Sequence, residues 1–223
     1  MHIEPGVVNG AKLALSYATA AGAAVYAGRE ALKTVSSRGI LSFAARSLIA
    51  TIGTFVFFEI LPHFAAGVSE VHLILGSTLF LMLGIGPSAL GLAMGLLLQG
   101  LFFAPTDLPQ FFMNLTTLLV PLFALQAVAQ RAIAKDTAYV DLSYAQALKL
   151  SVAYQGGVVA WVAFWVIWGQ GFAAMSEIMT FGAAYMTVVL LEPLVDLAVL
   201  GIAKSAKGLH GSGLVSERLH TAA

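Results

Sequence analysis

Met1-His2 opens the chain with three nitrogens in a row: an α-amine, the His2 amide and the His2 imidazole. Together they can wrap one metal ion in two fused small chelate rings. The amide binds only after losing its proton, which demands a strongly polarising ion. Nickel(II), copper(II) and sometimes cobalt(II) achieve this, and they favour tetragonal nitrogen geometry. Zinc, which favours tetrahedral sites, fits less well. One in-plane position remains open, and His72 is the best candidate to fill it. The bland alternatives are an ordinary exposed His2 near a frayed end and an interfacial His72. Spacing alone does not bring the two histidines together.

Other polar residues carry weaker chemistry. Glu59 and His63 are spaced i,i+4, which puts them on one helix face and makes them a metal pair or an interfacial pair. Gln99 and Asn114 lie in or beside apolar runs. They read as donors that orient a ligand loop or as polar contacts between membrane helices. Glu192 and Asp196 bracket Pro193 about a turn apart, and their role stays open between a partner contact and repair of the proline break. Gly91-Leu-Ala-Met-Gly95 is a small-xxx-small helix-packing pattern. Trp161, Trp165 and Trp168 read as interfacial and lipid-facing. There is no cysteine, so thiolate sites and disulfides are excluded. HExxH, GxSxG and phosphate-loop motifs are absent, and no basic run interleaved with aromatics supports nucleic-acid binding.

The elements that position these residues are membrane helices. Hydrophobic residues make up 59% of the 223, and charged residues only 10%, against about 25% in a soluble domain. Lipid is therefore the solvent for much of the surface. The acidic opening MHIEPG lacks a signal peptide's basic n-region, so the first apolar run is expected to stay, with Met1 supplying the mature amino group. Apolar runs at about 8–28, 40–61, 71–83, 88–103, 110–130, 147–168 and 178–203 predict an all-α integral membrane protein of about seven transmembrane helices. Residues 1–205 read as one polytopic membrane domain and 206–223 as a flexible, Gly/Ser-rich cytoplasmic tail. Of the 11 lysines and arginines, all but Lys12 fall on one side if seven runs each cross. The positive-inside rule then puts the N-terminus outside, the C-terminus in the cytoplasm and the protein in the cell's plasma membrane. The outer side collects His2, Glu4, Glu59, His63, Glu70, His72, Asp107 and Glu177, a rim suited to attracting a cation.

Two stretches carry a family resemblance. MHIEPG resembles a Met-His-Ile opening followed by proline and acid, here in swapped order. GVSEVHLILGSTLFLMLGIGPSALGLAMGLLLQGLFF is similar to a histidine-leucine pair followed by a glycine-rich helix, a Leu-Gly-Pro-like turn and a helix ending near glutamine. Asn114 falls where an asparagine follows the next loop. The sequence thus resembles the cobalt/nickel substrate-binding membrane components of energy-coupling factor (ECF) transporters, the CbiM/NikM family, over roughly the first 130 residues. The resemblance implies a metal site made by Met1, His2 and His72. It also implies a neighbouring shell that includes Ser69 and Glu70, where the family usually has a Thr-Ser-Gly run. It implies capture of cobalt(II) or nickel(II) as transported substrate without an organic cofactor. The implied partners are a transmembrane coupling subunit, ATPase subunits and a small accessory membrane subunit. Two other readings remain beside it. One is a non-transporting membrane subunit with interfacial histidines. The other is an intramembrane metal-dependent enzyme using Glu59, His63 and His72.

Overall fold

The computed structural model describes residues 3–221. Its long helices are α1 (Ala14–Phe55), α3 (Ile85–Phe102), α4 (Phe111–Ala132), α5 (Tyr144–Gln170) and α6 (Met175–Ser205). A short helix, α2 (Gly76–Leu83), and a two-stranded antiparallel hairpin, β1 (Phe64–Ala66) and β2 (Ser69–Val71), lie between α1 and α3. Among the described residues, four helical stretches are long and apolar enough to cross a membrane: Gly10–Ile60, Ile85–Phe102, Pro105–Ala132 and Tyr144–Ser205.

Two of these stretches are broken by a glycine in a conformation closed to other residues. Gly39 has φ 82° and ψ 161° inside α1, and Gly171 has φ 75° between α5 and α6. Residues 14–38 run alongside α4 in the same direction, with Tyr17 on Phe112 and Tyr26 on Phe123. Residues 40–55 run alongside α3 in the same direction, Ala50 against Gly91 and Thr54 against Gly95. Gly86, at the start of α3, lies against Glu30 and Ala31, while Gly91 five residues on lies against Ala50, so the chain turns back near Gly39.

The small-xxx-small pattern is a packing seam. A Cβ at Gly91 would lie 2.2 Å from the Ala50 Cβ, and one at Gly95 2.5 Å from the Thr54 side chain. Only bare backbone allows that approach.

The segment expected to be helical over 71–83 is built differently. Residues 72–75 are not helical, and α2 has eight residues, which rise about 12 Å against a hydrocarbon core of about 30 Å. The helix starts late because β2 ties down residues 69–71 and Leu75 takes a left-handed conformation, φ 51° and ψ 38°. The tryptophan group also divides. Trp165 is fully buried, while Trp168 is 43% exposed and donates to the Lys12 carbonyl. One face of α5 must fill the bundle, so helix rotation overrides the interfacial expectation for Trp165.

The segment after α6 packs back on the bundle. Ser216 N–H donates to the Met82 carbonyl at 2.6 Å, and Ser42 Oγ donates to the Gly213 carbonyl at 2.5 Å. Arg218 donates to the Ala134 carbonyl at 2.8 Å and lies 5.1 Å from the Tyr139 ring centre. Burial pushes the Tyr139 phenol pKa up, and the Arg218 charge opposes that shift.

Candidate metal centre

Met1 and His2 lie outside the described residues. The chain that follows them is firmly seated. Ile3 is fully buried and bridges to Ser69, so it lies antiparallel beside β2. Its N–H donates to Asn114 Oδ1 at 2.9 Å, and the Glu4 N–H donates to the Val68 carbonyl at 3.2 Å. Ser69 is wholly buried and Asn114 is 1% exposed.

His72 follows β2 directly and is wholly buried. Its Nε2 lies 2.9 Å from Glu70 Oε2. With Nε2–H donated to that carboxylate, Nδ1 holds the lone pair; a carboxylate partner of this kind sets the tautomer and the ring orientation. The His63 ring stacks on His72 with centres 4.8 Å apart and planes 14° apart, and Phe58 flanks it at 5.4 Å. The Tyr185 hydroxyl, from α6, donates to the His72 carbonyl at 3.5 Å.

The hairpin that presents this histidine is held tightly. At its turn, Gly67 has φ +60°, and a Cβ there would sit 2.3 Å from the Glu177 carbonyl oxygen at the start of α6. The β1–β2 register, Phe64↔Val71 to Ala66↔Ser69, then sends the chain inward at His72.

Gln99 is buried near the end of α3, and its carbonyl accepts from Phe103 and Ala104 N–H. Glu59 lies half-buried in the π-type turn Val56–Ile60. The shared helix face expected for Glu59 and His63 does not form. Leu61 is extended, φ −76° and ψ 152°, as a residue before proline prefers, so the helix stops before His63. His63 instead reaches His72 through the loop, with Nδ1 3.2 Å from the Leu61 carbonyl. Among the described residues, no three His, Asp or Glu side chains form a group able to hold a metal ion.

Glu192 and Asp196, whose role the sequence left open, form a second polar centre with hydroxyls that sequence reasoning did not connect to them. Glu192 and Asp196 are both wholly buried, together with Ser77, Ser151 and Gln155. Ser77 Oγ lies 3.0 Å from Glu192 Oε1 and 2.8 Å from Asp196 Oδ2. Thr78 Oγ1 donates to Asp196 Oδ1. Gln155 Nε2 is 2.6 Å and Ser151 Oγ 3.3 Å from Glu192 Oε2. Ser151 Oγ also lies 3.2 Å from the Val189 carbonyl, the acceptor that Pro193 leaves without its helical N–H. The available signal was a pair of acids in an apolar run; the hydroxyls that meet them are remote in sequence.

A bundle of this kind, with long apolar helices around buried polar side chains, is a multi-pass membrane protein. Residues 2–208 match the CbiM family, described as the cobalt uptake substrate-specific transmembrane region, and the chain belongs to that family. It is therefore a membrane component of cobalt transport and not a catalytic enzyme, its family's cargo is cobalt, and the family implies work alongside other ECF transporter subunits. No curated protein and no solved structure matches the chain.

Proposed function

We propose that this protein captures cobalt(II) or nickel(II) at its outer face. The ligands are the Met1 amine, the His2 amide and imidazole, and His72. Glu70 orients the His72 ring; Ser69 and Asn114 anchor the N-terminal strand. Gln99 belongs to the surrounding shell, and Glu59 and His63 line the approach. Release inward is driven by a transmembrane coupling subunit and ATPase subunits, with a small accessory membrane subunit assisting.

The observation that carries this reading is the pairing of Ile3 with Ser69. Ser69 is three residues from His72, and Ile3 follows His2 directly. The buried strand therefore starts one residue after His2 and pairs three residues before a buried imidazole. The orientation is N-terminus outside and C-terminus in the cytoplasm, with seven crossings. The third crossing consists of extended residues 72–75 followed by α2. Arg46 supports this reading: its Nη1 donates to the Leu83 carbonyl at 3.0 Å, which brings the end of α2 toward the basic side. Residues 206–223 form the cytoplasmic tail.

Metal titration of purified full-length protein tests the ligand set. Wild type is expected to bind nickel(II) or cobalt(II) at neutral pH. One residue added before Met1, or Ala inserted between Met1 and His2, is expected to abolish binding while the protein stays folded. Tight binding by either variant would refute the amine and amide as ligands.

A further inference from the structure

We propose that the Glu192–Ser77–Asp196 array is a proton-binding site: one proton is held on Glu192, leaving Asp196 ionised. The argument begins with a proton count. A serine hydroxyl carries one proton, yet Ser77 Oγ lies within hydrogen-bond distance of both carboxyls, 3.0 Å from Glu192 and 2.8 Å from Asp196. With both ionised, one contact would press two lone-pair-bearing oxygens together in a fully buried place. A proton on Glu192 removes the conflict, because the acid donates to Ser77 Oγ and Ser77 donates to Asp196.

Gln155 points to the same missing proton. The residue is fully buried, and its Oε1 has no hydrogen-bond partner. Its amide nitrogen lies 2.6 Å from Glu192 Oε2. That is shorter than the usual 2.7–3.2 Å of an N–H···O bond and inside the O–H···O range. Turning the amide by 180° brings the orphaned oxygen to that carboxyl, where a protonated Glu192 supplies the donor it lacks. The one proton thus has two alternative acceptors, Ser77 Oγ from Oε1 or the turned Gln155 oxygen from Oε2.

The charge left on Asp196 is well served. Thr78 and Ser77 both donate to it. They are in the first turn of α2, where backbone N–H groups and the helix dipole favour an anion. Among the described residues no Lys or Arg pairs with either acid, and Arg46 of α1 donates instead to the Leu83 carbonyl at the far end of α2. Residues 76–83 of α2 include no ionisable side chain. On α5 Lys149 is exposed, and on α6 Lys204 pairs with Asp141 at 2.5 Å. The remaining titratable neighbours are Tyr154 and Tyr185. Their hydroxyls donate elsewhere, to the Leu118 and His72 carbonyls.

The site grips the segment that ends in His72. Along one face of α6, Tyr185 holds the His72 carbonyl, while Glu192 and Asp196 hold Ser77 and Thr78. Between those points lies Leu75 in its left-handed conformation, a strained position for a branched residue. Losing the proton places a second negative charge against Ser77 and loosens α2 from α6, and the strained hinge passes that movement to residues 72–75. The consequence for metal release rests on the capture reading above; the proton itself does not.

Infrared spectroscopy of the full-length, metal-free protein in detergent tests the site without using metal binding. At neutral pH a protonated-carboxyl C=O band is expected in wild type and is expected to be absent in Glu192→Gln. As pH rises, the wild-type band should disappear together with faster amide hydrogen exchange across residues 69–79. Glu192→Gln should show no such pH step, because its amide permanently mimics the protonated acid. Should Glu192→Gln fail to fold, the wild-type band and its coincidence with exchange still decide. The proposal is overturned by the absence of a protonated-carboxyl band at neutral pH, by a band that survives in Glu192→Gln, or by exchange in 69–79 that ignores the band's loss.

Discussion

Asn114→Ala isolates the link between the N-terminal strand and the metal centre. Asn114 is 1% exposed, and its Oδ1 accepts the Ile3 N–H at 2.9 Å. Ile3 itself is fully buried, so water cannot replace the lost acceptor. An unsatisfied buried donor costs about 1–3 kcal/mol, and this cost falls on the docked strand alone. If docking of residue 3 is what delivers residues 1 and 2 to His72, metal affinity bears the same cost. At about 1.4 kcal/mol per tenfold, the dissociation constant for cobalt(II) rises roughly 5- to 150-fold. Competition against a chromophoric chelator with detergent-purified protein measures it. Asn114→Asp keeps an acceptor at the same place and is expected to lose much less. A dissociation constant for Asn114→Ala within twofold of wild type, in a folded protein, would refute the coupling of strand docking to capture.

Three further outcomes follow from the same geometry. Gly76→Ala places a Cβ 2.2 Å from the Tyr154 ring and should destabilise by about 1–3 kcal/mol; its melting temperature should fall well below that of Gly53→Ala, whose Cβ meets nothing nearer than 3.6 Å. Ser151→Ala removes the hydroxyl beside the Val189 carbonyl and Glu192, at about 1–3 kcal/mol; adding Pro193→Ala returns an N–H to that carbonyl and should recover part of the loss in a thermal melt. Imidazoles must be neutral to bind metal, so apparent cobalt affinity should fall by about tenfold or more per pH unit below about pH 6. Titrations at stepped pH check this, and affinity that stays flat to pH 5 would exclude histidine ligands.

The membrane class, the helical architecture and the polar residues of interest were legible in the sequence because lipid imposes a coarse, local rule. Each crossing needs an apolar run of a certain length, and ionisable residues within such runs stand out by their cost. The glycine seam at Gly91 and Gly95 was legible for the same reason, as spacing on one helix carries directly into packing. His72 could be singled out by its position at the edge of an apolar run, but not its burial, its Glu70 partner or its stack with His63. The helix break at Leu61 depended on the residue before proline, and it undid the i,i+4 face read for Glu59 and His63.

What the sequence determined by itself is the local physics: apolar runs that become helices, and glycines that can take positive φ. What only the tertiary structure decided is which distant residues meet. The Ile3–Ser69 bridge, the Asn114 acceptor and the convergence of Ser77 with Glu192 and Asp196 join residues 66 to 119 positions apart, 66 being the difference between 3 and 69. No periodicity encodes such meetings. They follow from a hairpin pinned against α6 at Gly67, a left-handed Leu75 that delays α2, and an α6 whose Glu192 and Asp196 are buried against α2.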